Sequence, residues 1–313
     1  MNTAVADKTI ETFFSRELEL YAVIAIDSTN ELPAIGGCRC LHYSNHAEVQ
    51  TEALRLSKAM TEKAKAHNLQ HGGAKMVVSI PNNFDRTLVM QQIGKWVDSL
   101  EGAYITASDS GTNSNDMDLI YKTTQYVACP QKWQSYNPSY YTALGVYHAL
   151  TASVGKLDYK AFTIQGLGEV GMHLLDMLSE HDTKIFVCDT DTKKTKMAAE
   201  RYDVELLSPN NCISNPCDVF VPCALGSILN PLSLPKLGAK LVVGAANNQF
   251  LDPIADKALA ERLGITVVPD IIANGGGLIH VAGLYSNKTD AQIHADVAQI
   301  HERVRTYLRA KAC

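Results

Sequence analysis

The chain has 313 residues, 46% hydrophobic and 19% charged, with a formal net charge of −5. That length carries two domains with full cores, and the acidic balance excludes a nucleic-acid binder, which needs a basic face. Residues 1–10 hold no apolar stretch for a signal peptide and no later run is long enough to cross a bilayer, so a cytoplasmic protein with no membrane partner is expected.

Taken in chain order, residues 20–26 read as a strand and Pro33-Ala34-Ile35-Gly36-Gly37 as a loop. Residues 49–63 form an amphipathic helix, with Val49, Ala53, Leu56 and Met60 on one side and Arg55, Lys58, Glu62 and Lys65 on the other. Lys63 extends the apolar stripe by one turn. Lys75 ends the run Gly72-Gly73-Ala74-Lys75 and stands directly before a buried strand at residues 76–80. Lysine is almost never buried without a partner. Two lysines aimed at one interior need an anion, a lowered pKa, or both. A helix at residues 87–100, a strand at 104–107 and a loop at 108–113 follow. Ser114 is the expected N-cap of the next helix, with Asp116 and Asp118 in its first turn, where carboxylates suit the helix dipole.

The aromatic and proline-rich stretch at residues 129–141 marks the domain junction, giving domains at residues 1–135 and 136–313. Beyond it, a helix at 142–154 leads into strands at 161–165, 184–188, 218–221, 240–244 and 265–268, alternating with helices and closed by an amphipathic helix at 290–309. This alternation is the pattern of an α/β protein with mainly parallel sheets. Eight cysteines in a chain of this size read as scattered reduced thiols. Cys38 and Cys40 are too close in sequence for a zinc pair, so no metal is expected.

Gly166-Leu167-Gly168-Glu169-Val170-Gly171 is a GxGxxG turn between an apolar strand and a helix. Its glycines let main-chain N–H groups approach a pyrophosphate at the helix start. Asp189 lies 23 residues beyond Gly166 at the end of the next strand. An acid there binds a ribose 2′-hydroxyl and repels a 2′-phosphate, which favours NAD over NADP. Glu169 is the discordant residue, a carboxylate beside the phosphate site.

From about Ile24 to about Thr306, most of its length, the chain resembles the glutamate, leucine, phenylalanine and valine dehydrogenase superfamily, most nearly its leucine dehydrogenase branch. The likeness rests on ordered blocks: Ile35-Gly36-Gly37-Cys38-Arg39, residues 54–63, Gly72-Gly73-Ala74-Lys75, residues 104–109, Asn115-Asp116-Met117-Asp118, Cys223-Ala224-Leu225-Gly226, Ala246-Asn247-Asn248-Gln249, Pro269-Asp270 and Asn274-Gly275-Gly276-Gly277. It implies an amino-terminal α/β domain for substrate and oligomerisation, a Rossmann domain for NAD, and a cleft between them. It implies that Lys63 holds the substrate α-carboxylate, that Gly36 and Gly37 let substrate approach the backbone, and that Lys75 and Asp109 are catalytic. It places Thr142, Gly166, Gly168, Glu169, Val170, Gly171, Asp189, Cys223, Ala224, Asn247 and Asn274 at the cofactor, and Ile35, Met60, Leu278 and Val281 around the substrate side chain.

The expected reaction is therefore reversible, NAD-dependent oxidative deamination of an apolar L-amino acid of leucine or valine type, by a homodimer or larger homo-oligomer. Lys75, its pKa lowered by Lys63 and burial, activates water, and Asp109 relays the proton to departing ammonia. Aromatic or modified L-amino acids are the competing substrates, and a non-catalytic NAD- or amino-acid-binding homologue is the competing class. Ser108, Glu169 and Gly275 depart from the family's usual residues, and the chain ends at Cys313, short of the family's usual carboxyl-terminal helices. Residues 20–26 are expected to offer a sheet edge for dimer pairing.

Overall fold

Strand alternation shapes the first half of the chain. In this computed structural model, residues 8–224 and 226–312 are described. Residues 1–7, Leu225 of the fourth-last sequence block above, and Cys313 lie outside the described residues. Two units are present: the chain up to Tyr136 together with Val281–Lys288, and Asn137–His280 together with the segment from Thr289 onward.

The first unit runs β1 (Thr9–Ser15), β2 (Leu20–Ile26), β3 (Leu32–Leu41), α1 (His46–Ala66), β4 (His71–Ser79), α2 (Arg86–Asp98), β5 (Tyr104–Ser108) and α3 (Ser114–Tyr121). Its sheet has the order β1-β2-β4-β3-β5. β2 is antiparallel to both β1 and β4, whereas β3 is parallel to β4 and β5. Alternate residues of β2 serve opposite faces, as the strand period requires. Val23 and Ala25 pack with Val49, Ala53 and Leu56 of α1. Leu20, Ala22, Ile24 and Ile26 belong to the other core, with Val89, Met90, Ile93 and Val97 of α2 and Met117 and Ile120 of α3. The sheet is thus sandwiched, and its middle strands are buried on both faces.

Three expectations are corrected here. Residues 20–26 are not an edge, because β1 pairs along their whole length. The stretch at residues 33–37 expected as a loop lies inside β3, and β4 begins at His71, before the expected start at residue 76, which makes Lys75 a mid-strand residue paired across to Ala25. Glycine usually weakens a strand, but it is required where another backbone comes close. A Cβ at Gly36 would run into the Ala74 carbonyl, and one at Gly73 into the Thr61 backbone nitrogen. Finally, the α3 cap is Asn113 rather than Ser114, with Asn113 and Asp116 forming a reciprocal capping box.

The second unit contains α4 (Pro138–Val154), β6 (Ala161–Gln165), α5 (Glu169–Leu178), β7 (Lys184–Cys188), α6 (Thr192–Arg201), β8 (Glu205–Leu206), α7 (Pro209–Cys212), β9 (Val219–Pro222), β10 (Leu241–Val242), α8 (Ala255–Arg262), β11 (Thr266–Val267), α9 (Asp270–Ala273), α10 (Gly276–Tyr285), whose last residues from Val281 belong to the first unit, and α11 (Asp290–Ala312). The sheet is parallel throughout, in the order β11-β10-β9-β6-β7-β8. Numbered from β6, this is the doubly wound 3-2-1-4-5-6 order of dinucleotide-binding sheets. α5 buries Gly171, Leu174, Leu175 and Leu178, one helical face. α11 packs on α4 through the stripe Ile293, Val297, Ile300 and Val304. The expectation of reduced thiols holds at Cys38, Cys40, Cys129, Cys217 and Cys223; Cys188 and Cys212 instead form a disulfide joining β7 to α7.

Candidate active site

In the first unit, β3, β4 and β5 bring three sequence-distant groups together. Lys75, only 5% exposed, projects from the middle of β4. Its Nζ lies 2.9 Å from Oδ2 of Asp109, the residue following β5. Gly37 of β3 stands over the pair: a Cβ there would lie 2.7 Å from Asp109 Cβ and 3.2 Å from Lys75 Nζ. Glycine at 37 therefore keeps open a space reaching the ammonium. The neighbouring Gly36 carbonyl accepts a hydrogen bond from the buried Tyr104 hydroxyl at 2.9 Å.

The Asp109 loop is pinned from its own backbone. Asp109 N donates to Thr112 Oγ1 at 2.9 Å, and that hydroxyl donates to the Cys38 carbonyl at 2.9 Å. Arg39 Nε adds a second ion pair to Asp109 Oδ2 at 2.7 Å. Burial pushes the Asp109 carboxyl up, but the Lys75 and Arg39 cations outweigh it and hold it at about 2. Burial pushes Lys75 down against the opposing pull of Asp109. A buried ammonium with a lowered pKa beside a firmly ionised carboxylate is a competent proton-transfer pair.

Lys63, on the last turn of α1, is half-buried and not fully buried as its stripe suggested. It follows Thr61, whose backbone the Gly73 strand meets directly. Ile35 is buried, Met60 half-buried and Val281 buried, all in the first unit; Leu278, also buried, belongs to the second.

In the second unit the candidate cofactor residues gather at the carboxyl ends of β6, β7, β9 and β10. Gly166 has φ +96°, and a Cβ there would lie 2.8 Å from Ala224, so the turn admits only glycine without strain. Gly171 lets α5 begin directly against the Gly166 carbonyl. Gly168 caps α5 and has nothing within 4 Å of where a Cβ would stand, leaving the α5 amides accessible to an anion. Val170 follows in the first turn. Cys223 N donates to Gln165 O at 2.7 Å, which ties the two strand ends together. Burial pushes the Cys223 thiol up to about 12, so it stays neutral.

Asp189 accepts hydrogen bonds from Leu167 N at 2.7 Å and Asp191 N at 2.8 Å. Burial alone would raise its pKa; the Asp191 and Leu167 amides lower it, so the carboxylate is anionic and fixed against the glycine turn. Glu169, the first residue of α5, accepts a hydrogen bond at Oε2 from Ser139 Oγ at 2.7 Å. Asn274 donates to Asn247 Oδ1 at 2.9 Å and to Ala245 O at 3.0 Å. Thr142 Oγ1 donates to Pro138 O at 2.8 Å, and Gly277 lies close enough that a Cβ would stand 2.5 Å from that hydroxyl.

Sequence reasoning passed over Arg39, Glu52, Thr112 and Ser139. A signal existed for Arg39: two residues from Gly37 on one strand, it shares that residue's face.

A doubly wound parallel sheet with a glycine-rich turn, joined to a second α/β unit holding a buried lysine–aspartate pair, defines a dinucleotide-dependent oxidoreductase. Residues 16–126 match the family described as Glu/Leu/Phe/Val dehydrogenase, dimerisation domain, and residues 187–311 match Glutamate/Leucine/Phenylalanine/Valine dehydrogenase. Leucine dehydrogenase of Geobacillus stearothermophilus is 35% identical over 298 residues, covering 92% of this chain and 81% of that protein. L-tryptophan dehydrogenase of Nostoc punctiforme is 36% identical over 291 residues, covering 90% and 82%. The crystal structure of L-tryptophan dehydrogenase from Nostoc punctiforme superposes with a TM-score of 0.79 at 34% identity, covering 95% of this chain and 87% of that one. A hetero-hexameric glutamate dehydrogenase from Thermus thermophilus shares the fold at a TM-score of 0.74 and 18% identity, covering 95% and 81%. The chain belongs to the Glu/Leu/Phe/Val dehydrogenase family, whose members are dinucleotide-dependent amino acid dehydrogenases. Among the described residues no helix is long and apolar enough to cross a membrane.

Proposed function

We propose that the protein is an NAD-dependent dehydrogenase of apolar L-amino acids, converting substrate, water and NAD to the 2-oxo acid, ammonia and NADH, and the reverse. The observation that carries this reading is the buried Lys75–Asp109 pair beneath the gap left by Gly37. In this reading Lys63 pairs with the α-carboxylate, and Gly36 and Gly37 give the substrate access to the strand. Lys75 takes a proton from the water that attacks the imine carbon, and Asp109 relays a proton to the departing amine. Ile35, Met60, Leu278 and Val281 receive the apolar side chain.

Gly166, Gly168 and Gly171 with the α5 amides suit a pyrophosphate, and Thr142, Cys223, Ala224, Asn247 and Asn274 complete that side. The bound dinucleotide supplies the hydride acceptor. The fixed, anionic Asp189 carboxylate supports NAD, because a 2′-phosphate beside it would be repelled. The intact lysine–aspartate pair favours turnover over a purely binding role. Likeness to a tryptophan dehydrogenase over most of the chain supports a second reading, with an aromatic L-amino acid as the preferred substrate.

A homodimer built through the first unit is the proposed assembly, in the cytoplasm. β1 supplies the sheet edge that β2 does not, with Ile10 and Phe14 at 42% and 58% exposure. Light scattering at micromolar concentration tests this, and a clean monomer overturns it. The activity is tested by NADH absorbance with a panel of L- and D-amino acids. NADH is expected with at least one apolar L-amino acid and with no D-enantiomer; a silent panel across several pH values overturns the reading.

A further inference from the structure

We propose that Arg39 is a positioning residue that keeps Asp109 ionised and oriented while Lys75 changes its protonation state. The inference rests on the proposed roles of Lys75 and Asp109 and adds a residue to that site. Five charged side chains from four segments form one alternating row. Lys75 of β4 meets Asp109 after β5, Asp109 meets Arg39 of β3, and Arg39 Nη1 donates to Glu52 Oε1 of α1. Arg55 closes the row, 3.7 Å from Glu52. The Arg39, Asp109 and Glu52 side chains are 16%, 18% and 24% exposed, so solvent screens this row weakly.

Both cations bind the same carboxylate oxygen. Lys75 Nζ and Arg39 Nε each lie against Oδ2, so Oδ1 is the oxygen left to an incoming amine. A guanidinium is planar and permanently charged, and its fork here spans two carboxylates. Glu52 therefore sets the angle at which Nε meets Asp109. An ammonium on a flexible stem fixes no such angle.

The charge count gives Arg39 its role. With Lys75 protonated, two cations, Lys75 and Arg39, contact the Asp109 carboxylate. When Lys75 gives up its proton to serve as a base, Asp109 loses one of its two cations, and Arg39 remains. Arg39 also opposes the protonated form of Lys75 directly, helping the lysine to act as a base. Three further titratable groups close to Asp109 add no charge. Burial pushes the Tyr104 and Tyr43 hydroxyls up, and the adjacent Cys40 thiol and burial push Cys38 up, so all three stay neutral.

The test uses Arg39→Met, Arg39→Lys and Glu52→Gln in the full-length protein, with the best L-amino acid of the wild type. Arg39→Met is expected to lower kcat by on the order of tenfold or more, with the KM for NAD nearly unchanged. The rise of kcat/KM with pH, which marks Lys75 losing its proton, should move to higher pH, because a nearby cation has been removed. Arg39→Lys should restore the pH profile and only part of kcat, and Glu52→Gln should give a smaller loss of kcat. A carbon-13 carboxyl titration of Asp109 should move upward in Arg39→Met. If Arg39→Met lowers only thermal stability and its pH profile superposes on the wild type, the inference is overturned. If Arg39→Met does not fold, Arg39→Lys and Glu52→Gln decide, and full activity in both overturns it. If the wild type makes no NADH, the functional reading fails, and the Asp109 titration alone decides: an unmoved signal overturns the role of Arg39.

Discussion

In the first unit, the groups proposed for chemistry are side chains held by other side chains. Lys75, Asp109, Arg39 and Glu52 position one another through ion pairs across strands and helix α1. In the second unit, the proposed cofactor cradle is mostly main chain. Gly166, Gly168 and Gly171 expose amides, and the one important carboxylate, Asp189, is itself fixed by amides. The first arrangement tunes proton affinity, whereas the second shapes a surface for a charged ligand without titrating. Substitutions should therefore separate the two units by what they damage.

The largest separation is expected from Lys75→Ala. It should cut turnover by about 10²- to 10⁴-fold, the span of general acid–base catalysis, while NADH binding followed by fluorescence stays near the wild-type value. Turnover that survives intact would remove Lys75 from the mechanism. Gly166→Ala attacks the opposite side. With φ at +96° and Ala224 2.8 Å away, the added methyl should weaken NADH binding by roughly tenfold to a hundredfold, on an estimated strain of about 1–3 kcal/mol. The pH dependence of turnover at saturating cofactor should not move; a shift there would show that the two halves are not separable.

Acid stability carries a contribution from the Asp109 ion pairs of the first unit, isolated by comparing wild type with Asp109→Asn. Asp109 titrates at about 2 in the folded chain, below an ordinary carboxylate. Its contribution is thus present above pH ~4 and lost as pH falls toward ~2. About 2 kcal/mol is involved, partly offset by the cost of burying the Lys75 ammonium, whose own pKa is lowered. Asp109→Asn should flatten that part of the stability curve measured by denaturant unfolding; an unchanged curve would mean that the ion pairs do not form in solution. The smallest effect belongs to Asp189→Ser, which should narrow the NAD over NADP preference by about tenfold, the equivalent of about 1.4 kcal/mol. Equal use of both cofactors by the unmodified protein would place Asp189 away from the ribose.

The two units also differ in how far the sequence announced them. Strands at residues 161–165 and 184–188 were legible to the residue, because short apolar runs bounded by turns are what a parallel buried sheet demands. The glycine turn was legible for the same local reason. In the first unit the glycines at 36 and 37 suggested a loop and the strand start at 71 was missed, since the need for glycine at 36 and 73 is set by Ala74 and Thr61, contacts a sequence does not display. β1 was missed, and with it the true sheet edge, because its partly exposed pattern has no buried face of its own. Lys75 and Asp109 stood out by residue type and by resemblance. Arg39 did not, because its meaning depends on a partner 70 positions away.

The backbone contact between Gly73 and Thr61 has a practical consequence for protein engineering. At that point α1 stands so close to β4 that a Cβ on Gly73 would meet the Thr61 backbone nitrogen and hydroxyl, so the helix has little slack through which to slide. Lys63 and Lys75 belong to those two elements, which this close contact and the packing of Val49, Ala53 and Leu56 on Val77 hold together. Exchanges at Ile35 or Met60, intended to admit a larger or smaller substrate, would leave that spacing untouched. A library built on those positions can vary selectivity while the reacting groups keep their registration, whereas a single methyl at Gly73 would disturb both lysines at once.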